Sequence, residues 1–218
     1  VPPEDECPSW DTDCDGISNA VETNDANSYL NLDPDTPDDN PSIAHGNPCD
    51  GWLENALNLP NEGTGYKHYL GIDTIDHDDW GVLHLINMIE GAGRDWYNDI
   101  FYSVRMGVGD LSWGNQYTQQ FGGYWWPHDC HQNGLEVDMR YVRNDGIWGS
   151  LNVYTQPSLY DQDATVRLMN FLYWNGDVVE IIVSRYAWVG GEVITVDTTT
   201  EHDDHFHVRI EDPDGTGN

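Results

Sequence analysis

Two short stretches, far apart in the chain, alternate in the same way, and they constrain the fold more than any other feature. From residue 135 the order is Leu135-Glu136-Val137-Asp138-Met139-Arg140, and from residue 205 it is His205-Phe206-His207-Val208-Arg209-Ile210. Successive side chains of a β-strand point to opposite faces. Leu135, Val137 and Met139 therefore share one face, and Glu136, Asp138 and Arg140 share the other. In the second stretch Phe206, Val208 and Ile210 enter a core, while His205, His207 and Arg209 point away from it. A turn signal at Asn133-Gly134 starts the first strand. Each strand so pairs an apolar side with a polar side rich in metal-binding groups.

Zinc takes imidazole nitrogen and carboxylate oxygen, and a catalytic site uses three protein ligands so that a fourth position stays open for water. His131, Asp138 and His207 can supply those three. A single His beside an Asp is ordinary in an acidic chain. Here five of the nine histidines fall into two clusters, His128 with His131 and His202 with His205 and His207. A closed structural zinc usually recruits cysteines or four protein ligands, which favours the open reading. The helical His-Glu-x-x-His motif of other zinc peptidases is absent.

Several motifs agree with a known family. Gly109-Asp110-Leu111-Ser112, Gly122-Gly123, His128-x-x-His131-Gln132-x-Gly134-Leu135-x-Val137-Asp138 and Asp203-Asp204-His205-Phe206-His207-Val208-Arg209 resemble, in order, the penicillin-insensitive murein endopeptidases, relatives of the lysostaphin and D-Ala-D-Ala metallopeptidases. The likeness covers roughly residues 80 to 211. It implies zinc ligands His131, Asp138 and His207, with His205 beside the metal as general base. His128 and His202 match two further family histidines, placed to hold a substrate carbonyl or stabilise an oxyanion. The segment Tyr124-Trp125-Trp126-Pro127 departs from the family's small and polar residues there, so substrate preference is not carried over. These aromatics suit sugars and peptide backbones as well as core packing; Trp113 and Tyr117 are a weaker case of the same kind.

Near the N-terminus, Asp11-Thr12-Asp13-Cys14-Asp15-Gly16-Ile17-Ser18-Asn19-Ala20-Val21-Glu22 fits the twelve-residue calcium loop. Asp11, Asp13 and Asp15 offer carboxylates, Ile17 a carbonyl, Asn19 a side chain or bridging water, and Glu22 a bidentate carboxylate. Residues 17 to 23 can form the exiting helix, but the prolines before the loop disfavour an entering one. The loop looks like the single-helix calcium loops of dockerin or thrombospondin type 3 repeats, and a structural role is expected. Asp33 to Asn40 reads as a solvated acidic linker or a second calcium loop. Asp73 to Asp79 reads as a turn, with Asp78 or Asp79 capping a helix over 79–92.

The chain's 218 residues suffice for one packed domain with an appendage. We expect an acidic calcium-binding segment over residues 1–50 and a zinc metallopeptidase domain over 51–218. The formal charge is −31, and no Lys or Arg precedes Lys67. Nucleic acid and anionic membranes would repel such a chain. No apolar run is long enough to span a bilayer, and no leader segment is expected to remain. The acidity fits bound cations or a salty habitat equally. Four cysteines allow three pairings; Cys7 with Cys14 and Cys49 with Cys130 are preferred, and paired thiols suit a secreted or periplasmic protein.

The expected fold is α+β: an antiparallel sheet carrying the metal, with helices packed on one side. Strands are read near residues 101–108, 135–142, 179–183 and 205–210, and a second helix over 162–174. The expected activity is zinc-dependent hydrolysis of peptidoglycan cross-links, of the D-alanyl-meso-diaminopimelyl endopeptidase type, by a monomer. Alternatives are a wall D-Ala-D-Ala carboxypeptidase or stem-peptide amidopeptidase, and an inactive zinc-bearing domain that binds wall peptides.

Overall fold

The stretches around residues 138 and 207 lie side by side in one sheet, and the other elements pack around them. The computed structural model describes residues 7–37, 42–69, 78–99, 104–123, 130–187 and 190–212. Its α-helices among the described residues are α1 (Asn19–Glu22), α2 (Leu83–Asn98) and α3 (Gln162–Asn175). The strands are β1 (Ile43–Asn47), β2 (Asp50–Glu54), β3 (Leu57–Asn58), β4 (Glu62–Gly63), β5 (Tyr66–His68), β6 (Trp80–Gly81), β7 (Met106–Val108), β8 (Gly114–Asn115), β9 (Gln120–Gly122), β10 (Glu136–Arg140), β11 (Val178–Ser184), β12 (Ile194–Asp197) and β13 (His205–Ile210).

The main sheet runs β12-β11-β13-β10-β7-β5-β4. Its centre is antiparallel, but β11 pairs with β12, and β5 with β7, in parallel. The sheet is therefore mixed where a purely antiparallel one was expected. Parallel or antiparallel pairing is set between strands, and alternation within a strand does not encode it. A second sheet, β1-β2-β9-β8, and the pair β3-β6 complete the β-structure of the described residues.

Register puts Val137 opposite Val208 and Met139 opposite Phe206, so these apolar side chains form one face. All four are buried and join one core with Leu85, Ile86, Met88, Ile89 and Trp96 of α2 and Leu168 and Leu172 of α3. Burial of each such side chain stabilises the fold by about 1.5–3 kcal/mol. The opposite face, free of that apolar load, carries Glu136, Asp138, His205 and His207.

Two readings of local structure change. Helix α2 begins at Leu83, not at Asp79, because Trp80–Gly81 pairs with Leu57–Asn58 as a strand. Asp78 and Asp79 do not cap it. The Asp78 carbonyl accepts the Leu111 N–H (2.6 Å), the Asp79 carboxylate accepts the Asn58 amide, and Ser42 Oγ caps the Leu83 N–H (2.8 Å). Helix α3 is capped locally by Asp161, whose carboxylate accepts the Ala164 N–H (2.9 Å). The strand expected over 101–108 is shorter, Met106–Val108, with residues 101–103 outside the described residues.

The N-terminal segment is not loosely attached. Ile17 and Val21 are buried in the core, Asn27 accepts the Asn58 N–H (2.7 Å), and the β1–β2 hairpin spans residue 50. Disulfides join Cys7 with Cys14 and Cys49 with Cys130. Among the described residues, no helix is long and apolar enough to cross a membrane.

Candidate metal centre

Asp138 and His207 face one another across β10 and β13. His131 reaches them from the loop before β10, and that loop is held from several sides. Ser112 Oγ donates to the His131 carbonyl and accepts the Gly134 N–H (2.8 Å). The Gln132 N–H donates to the Pro48 carbonyl (2.7 Å) and its side-chain amide to the Cys49 carbonyl (2.9 Å). Gly134 sits at φ +71°, and a Cβ there would lie 2.4 Å from Leu53 Cδ2, so the turn requires glycine. The Asp110 carbonyl accepts the Asp138 N–H (2.9 Å), and the Gly109 N–H donates to the Asp138 carbonyl (2.6 Å). The motif 109–112 thus braces the backbone of both ligand candidates.

His131, Asp138 and His207 are all buried, and one donor atom from each lies within 4.8 Å of the others. His131 Nε2 is 3.3 Å from Asp138 Oδ1, and His207 Nδ1 is 3.0 Å from the same oxygen. This set of two imidazoles and a carboxylate can hold a metal ion. Glu136, also buried, supports it: Oε1 meets His207 Nε2 at 3.2 Å and Oε2 accepts the His131 N–H at 2.8 Å. A carboxylate on the far nitrogen of a ligand imidazole orients the ring and raises its basicity.

The charges follow from this packing. Burial pulls the His207 imidazole down, but hydrogen bonds to Asp138 and Glu136 outweigh it and lift the group to about 10. Burial raises Asp138, yet the surrounding His205, His131 and His207 hold it well below the usual carboxylate range. The His205 ring is lowered by burial and raised more strongly by Asp138 and Asp204, for a net rise. Its Nδ1 is 2.9 Å from Asp204 Oδ1 and its Nε2 3.6 Å from Asp138 Oδ2. His202 lies beside both, with ring centroids 5.1 Å from His205 and 6.2 Å from His207, and its Nδ1 is 2.9 Å from Asp197 Oδ2.

The acidic loop gathers Asp11, Asp13 and Asp15 around one point. Asp11 is 4% exposed, and Asp11 Oδ1 and Asp13 Oδ2 are buried without a hydrogen-bond partner among the described residues. Desolvation, then the Asp11 carboxylate, push Asp13 upward, while the Asp15 N–H opposes them. Such oxygens suit a cation. Gly16 takes φ +90°, and Glu22 is buried on the short helix α1. The Asn19 amide is engaged with Thr12 (2.9 and 2.7 Å). The Asp33 stretch begins as a turn, with the Thr36 N–H on the Asp33 carbonyl (3.0 Å); residues 38–41 lie outside the described residues.

His128 and Tyr124 to Pro127 also lie outside the described residues. Tyr117 is 87% exposed, on the turn between β8 and β9, not in the centre. Three carboxylates have no role assigned from the sequence: Glu136 on His207, Asp204 on His205 and Asp197 on His202. Glu136 is legible through its place on the Asp138 face and Asp204 through its motif. No protein-family model and no curated protein matches this chain.

Proposed function

We propose that the chain is a secreted zinc peptidase that hydrolyses peptide cross-links of peptidoglycan, of the D-alanyl-meso-diaminopimelyl endopeptidase type. The observation that carries this reading is the convergence of His131, Asp138 and His207 with a carboxylate-held His205 at their side. Ligand atoms at tetrahedral positions about 2.0–2.1 Å from zinc lie about 3.3 Å apart. The separations of 3.3 and 3.0 Å from Asp138 Oδ1 fit that spacing. When bound, zinc would polarise a scissile carbonyl and lower the pKa of a water molecule.

The chain's own residues supply the proton chemistry. Asp204 holds His205 Nδ1, which leaves Nε2 facing the centre to accept the proton of the attacking water and return it to the leaving amine. Asp197 likewise holds His202 Nδ1 and orients the ring beside His205 and His207; its Nε2 serves the carbonyl oxygen, as negative charge develops there, only when that nitrogen also carries a proton to donate. Glu136 fixes the His207 ring and the His131 backbone, so neither ligand need reorganise.

The acidic loop, in this reading, binds calcium through Asp11, Asp13, Asp15, the Ile17 carbonyl and Glu22, with Asn19 in the outer position. It serves to hold the N-terminal segment on the core. Two disulfides suit an extracellular setting.

Mass-spectrometric mapping of products from cross-linked peptidoglycan tests the activity. Zinc-loaded protein should convert dimers to monomers, and chelated protein and His205→Ala should not. Release of single D-alanine would indicate a carboxypeptidase instead. No zinc-dependent product from several wall types would point to a peptide-binding domain.

A further inference from the structure

Half of the chain's permanent cations meet in one place. Of eight Lys and Arg in a chain of formal charge −31, Lys67, Arg105, Arg140 and Arg143 line two adjoining depressions, which share Val104, Arg105 and Trp148. The outer one is an open bay of about 450 Å³, enough for a peptide-sized group.

The sheet connects this bay to the metal centre. Arg140 lies opposite His205 across β10 and β13. Met139 pairs with Val108, which sets Arg140 beside Gly107, and Gly107 pairs with Lys67. One row on the polar face therefore runs His205, Arg140, Gly107, Lys67, next to the row that holds His207 and Asp138. Two strand spacings of about 4.8 Å separate Arg140 from Lys67, so the row reaches about 10 Å beyond Arg140. A Cβ on Gly107 would come within 2.9 Å of Arg140 Cβ and Cγ, so glycine lets that side chain lie across β7. The Arg140 guanidinium stacks 3.8 Å from the Tyr69 ring centroid, and Tyr69 neighbours Trp148 at 5.8 Å.

Among the described residues, these four cations meet three carboxylates. Asp204 takes Arg140 (3.1 Å) and Asp145 takes Arg143 (2.5 Å), but Glu62 alone takes both Lys67 (2.8 Å) and Arg105 (2.6 Å). The side chains of Lys67, Arg105 and Glu62 are 40%, 48% and 51% exposed. Ion pairs that open to solvent contribute little, so an incoming anion can displace Glu62 at small cost. Arg140 and Arg143, 16% and 14% exposed, stay fixed behind it.

We propose that this bay is a carboxylate subsite, which takes a free carboxylate of a peptide substrate at Lys67 and Arg105 while the peptide runs along the row from the metal centre. The substrate class rests on the peptidase reading; the anion preference does not. The test is an NMR titration of the full chain with N-acetyl-D-alanyl-D-alanine and with its C-terminal amide. The carboxylate form should bind at least tenfold tighter. In the Lys67→Gln/Arg105→Gln double variant that ratio should fall to within twofold, and in Glu62→Gln it should widen by two- to fivefold. These side chains are exposed, so an unchanged melting curve should show that the variants fold. No preference in the parent, or a preference undiminished in the double variant, overturns the proposal; the latter is also the result if the carboxylate goes to the metal. Discrimination as expected with neither probe bound on a route to hydrolysis of any wall peptide would keep the subsite and remove the peptidase reading. Hydrolysis without discrimination would do the reverse.

Discussion

His205 and Asp138 sit 3.6 Å apart, and the proposed function gives them separable tasks. His205→Ala should leave bound zinc at parent stoichiometry by elemental analysis while the hydrolysis rate falls about 10²- to 10⁴-fold, the usual worth of a positioned acid–base group. Parent-rate cleavage by that variant would remove the general-base assignment. Asp138→Ala should lose the metal itself, since it takes away an oxygen common to both imidazole contacts. Glu136→Gln should weaken metal binding about 10- to 100-fold in a competition titration, because the His207 ring loses its carboxylate. Asp197 gives a pH signature away from the ligands. Burial would raise it, but His202 and Thr199 hold it down to about 2. A carboxyl depressed in the folded state contributes stability above its unfolded value near 3.8, and that contribution is lost as pH falls through about 2. Asp197→Asn should therefore cost about 2 kcal/mol near neutrality and flatten the acid limb between pH 4 and 2, read by chemical denaturation at each pH.

At the scale of elements, the centre depends on parts that never touch it. The loop that carries His131 is braced by Ser112 and by the disulfide-linked β1–β2 turn. Ser112→Ala leaves a buried carbonyl and a buried N–H without their partner. It should cost about 1–3 kcal/mol, with weaker metal binding than the parent in the same competition titration. An unchanged metal affinity would mean that β10 and β13 alone position His131. Helix α2 shows the same dependence on distant partners: its first N–H is capped by Ser42, 41 residues away in sequence. A cap from so far away in sequence leaves no signal just before the helix, where Asp78 and Asp79 are the local candidates.

For the whole molecule, charge dominates. A formal charge of −31 repels itself in the compact state, so monovalent salt should raise the melting temperature by screening. Calcium should raise it further at matched ionic strength, by neutralising Asp11, Asp13, Asp15 and Glu22 where the loop docks on α2 through the Gly16 carbonyl and the Asn87 amide (2.9 Å). Equal melting temperatures in calcium and in matched sodium chloride would contradict the calcium reading. Much of this was legible in the chain, because it is local. Alternation at 135–140 and 205–210 decides which side chains share a face, the Asp-x-Asp-x-Asp-Gly spacing gathers three carboxylates within one turn, and the period of 162–174 marks α3. The disulfide pairing came out as preferred, though spacing alone left three choices. The tertiary structure decided what depends on distant chain segments: the parallel edges of the sheet, the strand at Trp80 that delays α2, the carboxylates behind each histidine, and the row that joins the metal centre to Lys67. A strand's pattern states which way a residue points, but the partner it meets is set by register between strands tens of residues apart, and that is a property of the packed sheet.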